Sequence, residues 1–160
     1  MKTVSSFLVL GLCVLLASPG RAEETPGLTK ATTHVPPRQV ECTVPILPVS
    51  DLARSFVFYT ETLGFKLDWG DAKKDTICSV SRDKRSIILM KREKPGEPVW
   101  VWIGADVALF ETYRAKGVKV IQEPKNYTWA YEMKFADPDG NILWLGSDPR
   151  KDLPFEDTKK

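Results

Sequence analysis

Apolar and polar residues alternate one by one ahead of a single turn in the last third of the chain, and an unbroken apolar run follows it. Residues 131–136 and 142–145 each read as a strand-like run, and Asp137-Pro138-Asp139-Gly140-Asn141 lies between them. Pro138 presets φ for the second position of a type I turn, and Gly140 supplies the left-handed residue that closes a bulged hairpin. The predicted hairpin sets Asp137 against Asn141, Phe135 against Leu143 and Lys134 against Trp144. Alternation then sends Met133, Phe135, Leu143 and Leu145 to the core, and Glu132, Lys134, Ile142 and Trp144 to the opposite face. A face that mixes a charge pair with a large aromatic suits the wall of a binding cleft.

A helical period governs two other stretches. Leu52, Phe56, Tyr59 and Leu63 recur at i, i+4, i+7 and i+11 and form one apolar face. Ser50 or Asp51 caps the start of that helix and Gly64 ends it. Residues 106–116 predict a shorter helix stopped by Gly117. Strands are predicted at 41–47, 65–71, 76–81, 86–92, 99–103 and 118–122. Gly64-Phe65-Lys66-Leu67 and Gly117-Val118-Lys119-Val120 occupy the same helix-to-strand corner about 53 residues apart, so a β-α-β-β-β unit occurs twice. Residues 91–98, charged and holding Pro95, Gly96 and Pro98, link the halves. The fold class is α+β, with modules at about residues 40–93 and 98–147.

Two motifs carry a family resemblance. The first is Val44-Pro45-Ile46-Leu47-Pro48-Val49-Ser50-Asp51-Leu52-Ala53-Arg54-Ser55, followed by Phe58-Tyr59 and Leu63-Gly64-Phe65; the second is Asp137–Asn141. Together they bracket about 105 residues, the size of one domain. In this order and at this separation they resemble the vicinal oxygen chelate superfamily, which includes glyoxalase I, extradiol dioxygenases and bleomycin resistance proteins. The resemblance implies one domain over residues 40–149, built of two βαβββ modules whose mixed sheet curls around a cleft. It also implies a homodimer, because in the bleomycin resistance branch a second subunit commonly completes that cleft. Enzymes of the superfamily hold a metal ion with His, Glu or Gln from the first, fourth, fifth and eighth strands. Here those positions fall near Val44, at Leu89 or Met90, near Trp100 and at Trp144, none a good ligand for a divalent ion. No metal, no cofactor and no catalytic residue of that kind is therefore expected.

Aromatic residues stand where the metal ligands would be. Trp100 and Trp102, two apart, share one face of their strand; Trp144 takes the last ligand position, and Trp69 and Trp129 flank these strands. Residues 64–71, 99–103 and 132–141 are most similar to the metal-free bleomycin resistance proteins, in which an aromatic of the fifth strand lines the drug cleft. Indole faces stack on planar heteroaromatics and attract cations. The candidate ligand-binding residues are Trp69, Trp100, Trp102, Trp144, Glu132 and Lys134, with Asp68 and Glu132 as charge partners. The expected function is sequestration of a small planar or cationic molecule, as in antibiotic resistance. The alternative is a glyoxalase- or dioxygenase-type enzyme whose metal site is displaced onto carboxylates such as Glu41 and Glu132. A third reading, a partner-binding domain, requires the tryptophans to be buried.

Composition changes the picture at the N-terminus. The chain holds 23 Lys+Arg and 21 Asp+Glu, but residues 1–22 contribute Lys2 and Arg21 and no acid, so the remainder is balanced. Residues 1–22 read as a secretory signal peptide: Lys2, an apolar run over 7–17, then Gly20-Arg21-Ala22. Cys13 lies inside that run behind Leu12, the wrong residue for a lipid-anchor cleavage signal. The mature chain is then secreted or periplasmic, about 138 residues long, enough for one domain with a real core. Zero net charge gives no case for nucleic acid or for an anionic membrane. Residues 23–39, with Pro26, Gly27, Pro36 and Pro37, read as a flexible tether that carries the chain's one histidine, His34. Residues 150–160 read as a polar tail. Cys42 and Cys78 are expected as free buried thiols, and Asn126-Tyr127-Thr128 is a glycosylation sequon. With no histidine in the domain, Ser/His/Asp and Cys/His catalysis are excluded, and there is no Gly-rich phosphate loop.

Overall fold

A computed structural model describes residues 40–158. The predicted export segment, the tether and His34 lie outside the described residues. The elements are β1 (Ile46–Val49), α1 (Leu52–Val57) running into a π-helical turn (Phe58–Thr62), β2 (Lys66–Trp69), β3 (Ile77–Arg82) and β4 (Arg85–Lys91). The second half has β5 (Trp100–Gly104), α2 (Val107–Ala115), β6 (Lys119–Asn126), β7 (Tyr131–Ala136) and β8 (Ile142–Ser147), before a short 3-10 turn (Glu156–Thr158). They form two four-stranded mixed sheets, ordered β1-β4-β3-β2 and β5-β8-β7-β6. In each, the outermost first strand runs parallel to the last strand of its unit, and the other pairs are antiparallel. The same order twice is the geometric form of the internal repeat. Among the described residues no strand pairing joins the two sheets, so the mixed sheet is not closed.

One core spans both units. The inward faces contribute Leu47, Val49, Val80 and Leu89 from the first sheet and Met133, Phe135, Leu143 and Leu145 from the second. Tyr59 and Leu63, and Phe110 and Tyr113 of α2, fill the space between. The predicted hairpin register is the observed one: Phe135 pairs with Leu143 and Lys134 with Trp144, while Asp137 N–H donates to the Asn141 carbonyl at 2.9 Å. Gly140 has φ +90°, the left-handed conformation that the bulged turn requires.

That turn also fastens the halves together. Asp139 Oδ1 accepts from Ser50 N at 2.8 Å, Ser50 Oγ at 2.6 Å and Arg54 Nη2 at 2.6 Å, and its Oδ2 accepts from Ser55 Oγ at 2.6 Å. Asp137 Oδ1 accepts the N–H groups of Asp139 and Asn141, and its Oδ2 accepts from Tyr59 Oη at 3.1 Å. Asn141 donates to the Pro48 carbonyl at 3.0 Å and accepts from Val99 N at 3.1 Å. The polar residues of the turn are thus spent on docking the second unit against β1 and α1. Burial pushes the Asp137 carboxyl above its ordinary range despite those bonds. Burial also raises Asp139, but the Ser50, Ser55 and Arg54 donors outweigh it and hold that carboxyl below the ordinary range.

Some predicted bounds shift. β1 begins at Ile46, not 41: its ladder to β4 opens with Ile88 N–H on the Pro45 carbonyl at 3.0 Å, and residues ahead of Pro45 have no strand partner. Cys42 therefore lies before the strand and is exposed, not buried, while Cys78 is buried in β3; both are free. Asp51, not Ser50, caps α1 through a bond from Arg54 N at 3.0 Å. Leu52, Tyr59 and Leu63 reach the core as the period predicted, but Phe56 is only partly buried. The predicted strand at 118–122 is longer, because Pro124 sits on an edge strand where irregular register dispenses with its missing N–H. No helix among the described residues is long and apolar enough to cross a membrane.

Candidate functional site

The outer face of the second sheet gathers four of the five tryptophans. Parallel pairing of β5 with β8 sets Trp102 beside Trp144, Trp100 beside Ile142 and Gly104 beside Gly146. The Trp144 ring meets Trp102 edge-on at 5.2 Å and Trp100 at 6.0 Å. Trp129 enters from the turn between β6 and β7, 5.8 Å from Trp102 and 5.9 Å from Trp144, and Tyr127 stacks on it at 5.8 Å. Trp100, Trp129 and Trp102 remain 58%, 55% and 47% exposed, whereas Trp144 is half-buried behind them. Gly146 makes the arrangement possible. A Cβ there would lie inside the Trp102 indole, so only the bare backbone lets that ring lie across the sheet.

Glu132 and Lys134 occupy the same face but lie beneath the indoles, not on the open wall. Glu132 is 2% exposed. Lys134 Nζ donates to Glu132 Oε1 at 3.1 Å and to Gln122 Oε1 at 2.6 Å, and Gln122 Nε2 donates to Glu132 Oε1 at 3.1 Å. The same ammonium stands 4.4 Å from the centre of the Trp144 ring. The pair is self-neutralised, which is how a buried charge is tolerated. Glu132 Oε2 and Trp144 Nε1 are buried without a protein partner. Trp69 is placed elsewhere, on β2 of the first sheet, 48% exposed and out of ring contact with the other four.

The turn that carries Trp129 is fastened by the C-terminal segment. Asn126, buried, donates from Nδ2 to the carbonyls of Arg150 at 2.9 Å and Leu153 at 3.0 Å, and accepts from Arg150 N at 2.9 Å. Thr128 Oγ1 donates to Asp157 Oδ2 at 2.6 Å. The sequon asparagine thus has its amide engaged inside the fold. Trp129, Tyr127, Gln122 and Gly146 are the site residues that period counting leaves out. Period two continued from Tyr131 would send Trp129 and Tyr127 to the core face with Met133 and Phe135, so no local period places them in the site; the turn does.

No three His, Cys, Asp or Glu side chains converge among the described residues. Glu41 is exposed ahead of β1, and Glu132 of the displaced-metal alternative is buried and committed to Lys134 and Gln122. The side chains at Leu89, Met90, Trp100 and Trp144 offer no donor set for a divalent ion. A cavity of about 520 Å³ runs along β5 beside Trp102, between Phe65, Ile87, Leu109 and Tyr113. Arg82, Asp83 and Arg85 give it a charged edge, and of these Arg82 donates to the Leu63 carbonyl at 2.5 Å and to Tyr113 Oη at 3.1 Å. The aromatic face is the better candidate site, because its large rings are exposed and prearranged.

A sequence model of the Glyoxalase/Bleomycin resistance protein/Dioxygenase superfamily matches residues 34–145. No curated protein matches the chain. Among solved structures, an integron cassette protein from the mobile metagenome of a Halifax Harbour sewage outfall is 24% identical, with a TM-score of 0.59 over 68% of this chain and 99% of its own. TioX from Micromonospora sp. ML1 is 13% identical, with a TM-score of 0.60 over 68% and 99%. A lactoylglutathione lyase from Agrobacterium tumefaciens is 16% identical, with a TM-score of 0.56 over 70% and 96%. At these identities the likeness is one of fold.

Proposed function

Since the chain belongs to the glyoxalase/bleomycin resistance protein/dioxygenase superfamily, we propose that it is a binding member of that group, holding a small planar or cationic molecule against its aromatic face without chemistry. One observation carries the reading: four indoles, three of them about half exposed, cluster around Trp144 on one sheet face. Large apolar rings left open to water mark a contact surface, and an exposed indole face can stack on a flat ring. The metal positions of the family's enzymes hold Leu89, Met90 and tryptophans, which favours sequestration of the bleomycin resistance kind over lyase or dioxygenase activity. Export through residues 1–22 sets the protein to work outside the cytoplasm, where an amphipathic ligand other than a DNA-directed drug is the fitting target. The cleft is completed by a second copy, whose first-sheet outer face, with Ile46, Ile88, Met90 and Trp69, covers the tryptophans.

Intrinsic tryptophan fluorescence tests this directly. The mature protein is titrated with bleomycin and a panel of planar cations, with and without EDTA and added Ni²⁺, Fe²⁺ or Zn²⁺. Saturable quenching indifferent to EDTA, and weakened in Trp102→Ala, is the expected result. A tightly held metal with no quenching by any compound would overturn the reading in favour of the enzyme.

A further inference from the structure

The cavity beside β5 ends at a pair of arginines that the aromatic face does not use. β3 and β4 are joined by Asp83 and Lys84, whose φ of 51° and 61° are the left-handed values of a tight two-residue hairpin. That turn pairs Arg82 directly with Arg85. Period two sets Arg82 on the face of β3 that carries Cys78 and Val80, and Arg85 on the face of β4 that carries Ile87 and Leu89. Those four apolar residues are core, so both arginines belong to the inward face and stand where it opens to water. Like charges directly opposite on a sheet repel, and a guanidinium keeps its proton. Strand pairing therefore gains nothing from the two arginines.

Their partners differ. Arg82 is held by the Leu63 carbonyl and Tyr113 Oη, lies 5.9 Å from the centre of the Tyr113 ring, and has Asp83 at 3.6 Å from its Nε. Arg85 is exposed. Its Nη1 donates to the carbonyl of its neighbour Lys84 at 3.4 Å, a long bond, and among the described residues it makes no salt bridge. The edge thus sets two guanidiniums against the single carboxylate of Asp83, which is turned to Arg82. Behind that edge the cavity of about 520 Å³ is lined by Phe65, Ile87, Val101, Ile103 and Leu109. Val101, Ile103 and Leu109 pack against the core yet stay only partly buried. Tyr113 Oη donates to the Leu63 carbonyl at 3.1 Å and accepts from Arg82, so the body of a ligand needs no polar group beside it. An apolar cavity of this size with a few polar groups at one place is the ordinary form of a small-molecule site. Its surplus of positive charge repels the cations that suit the aromatic face.

We infer that this cavity is a second ligand site, separate from the aromatic face, and that it takes an apolar acid: a hydrocarbon body against Ile87, Ile103 and Leu109, and one anionic group on Arg85. Decanoate and decyltrimethylammonium, the same chain with opposite charges, test it by isothermal titration calorimetry at neutral pH below their micellar concentrations. Wild type, Arg85→Gln, Leu109→Trp and Trp129→Ala are titrated with each. Wild type is expected to bind decanoate and to bind decyltrimethylammonium about tenfold more weakly, an exposed charge pair counted once as attraction and once as repulsion. Arg85→Gln, at an exposed position that leaves the fold intact, weakens decanoate about fivefold. Leu109→Trp fills the cavity from its partly buried position and weakens decanoate further. Trp129→Ala, on the aromatic face and outside the cavity, leaves decanoate within about twofold. Decanoate lost in Trp129→Ala and kept in Leu109→Trp overturns the site and moves the chain to the aromatic face. Equal affinity for the two amphiphiles, or no effect of Arg85→Gln, overturns the assignment of charge. Wild type that ignores decanoate while planar cations still quench its tryptophans overturns this site alone and leaves the aromatic reading standing. Should Leu109→Trp fail to fold, Arg85→Gln and Trp129→Ala still decide.

Discussion

Asp139 shows how a single side chain can tie a motif to the fold and not to the ligand. Its carboxylate is nearly sealed and accepts four bonds from Ser50, Arg54 and Ser55. Its folded-state pKa is depressed, so the stabilisation it supplies is full above the ordinary carboxylate range, near pH 4, and is lost as pH falls through the lower folded value. Asp137 has the opposite sign. Its raised pKa means that the folded chain binds the proton more tightly, so its contribution weakens as pH rises through that value. Asp139→Asn is expected to lower stability by about 1–3 kcal/mol at neutral pH and to flatten the acid limb of the stability profile. Urea unfolding at a series of pH values checks it. An acid limb as steep as that of the wild type would mean that other carboxylates carry the effect.

At the scale of strands and turns, Gly146 decides where an indole can lie. Trp102 sits across it, and any Cβ there would enter the ring. Gly146→Val suits an extended strand, so the backbone has no reason to fail; the half-exposed ring has open space and swings off the sheet. The prediction is a loss of the near-ultraviolet circular dichroism of coupled indoles and weaker ligand quenching, with stability changed by less than about 1.5 kcal/mol. An unchanged spectrum would mean that Trp102 never lay on Gly146. The same element shows what was legible in the chain. Alternation over 131–136, an apolar run over 142–145 and a turn whose residues allow few geometries delivered the hairpin register and the pairing of Lys134 with Trp144. Period two also put Trp100 and Trp102 on one face. It could not say that Gln122, from a strand with two register slips, would reach Glu132 and Lys134 and leave the pair under the rings. Nor could it say that Trp69 belongs to the other sheet's face, that Trp129 would fold back from a turn, or that Asn126 would be taken up by the C-terminal segment. Those outcomes depend on long-range contacts, which local periods do not encode.

For the whole molecule, the question is what covers two outer faces at once. One sheet exposes Trp100, Trp102 and Trp129 and the other exposes Ile46 and Trp69, while the core between them is complete. Surfaces of this kind are characteristic of interfaces and ligand grooves. A homodimer in which the first sheet of one copy faces the second sheet of its partner covers both faces with one repeated contact, because a two-fold interface presents each pair of surfaces twice. Two consequences follow by mass action. Sedimentation equilibrium should give twice the protomer mass at micromolar protein, and Trp100→Lys, which puts a charge on the most exposed indole position, should shift the chain toward the monomer. A ligand held between the copies binds the dimer and not the protomer, so saturating proflavine, a planar cation, should tighten the dimer by the factor by which it prefers it. A chain that stays monomeric with and without proflavine would leave the tryptophans to the ligand alone and separate the two faces. A dimer that proflavine neither tightens nor loosens would place the ligand away from the contact between copies.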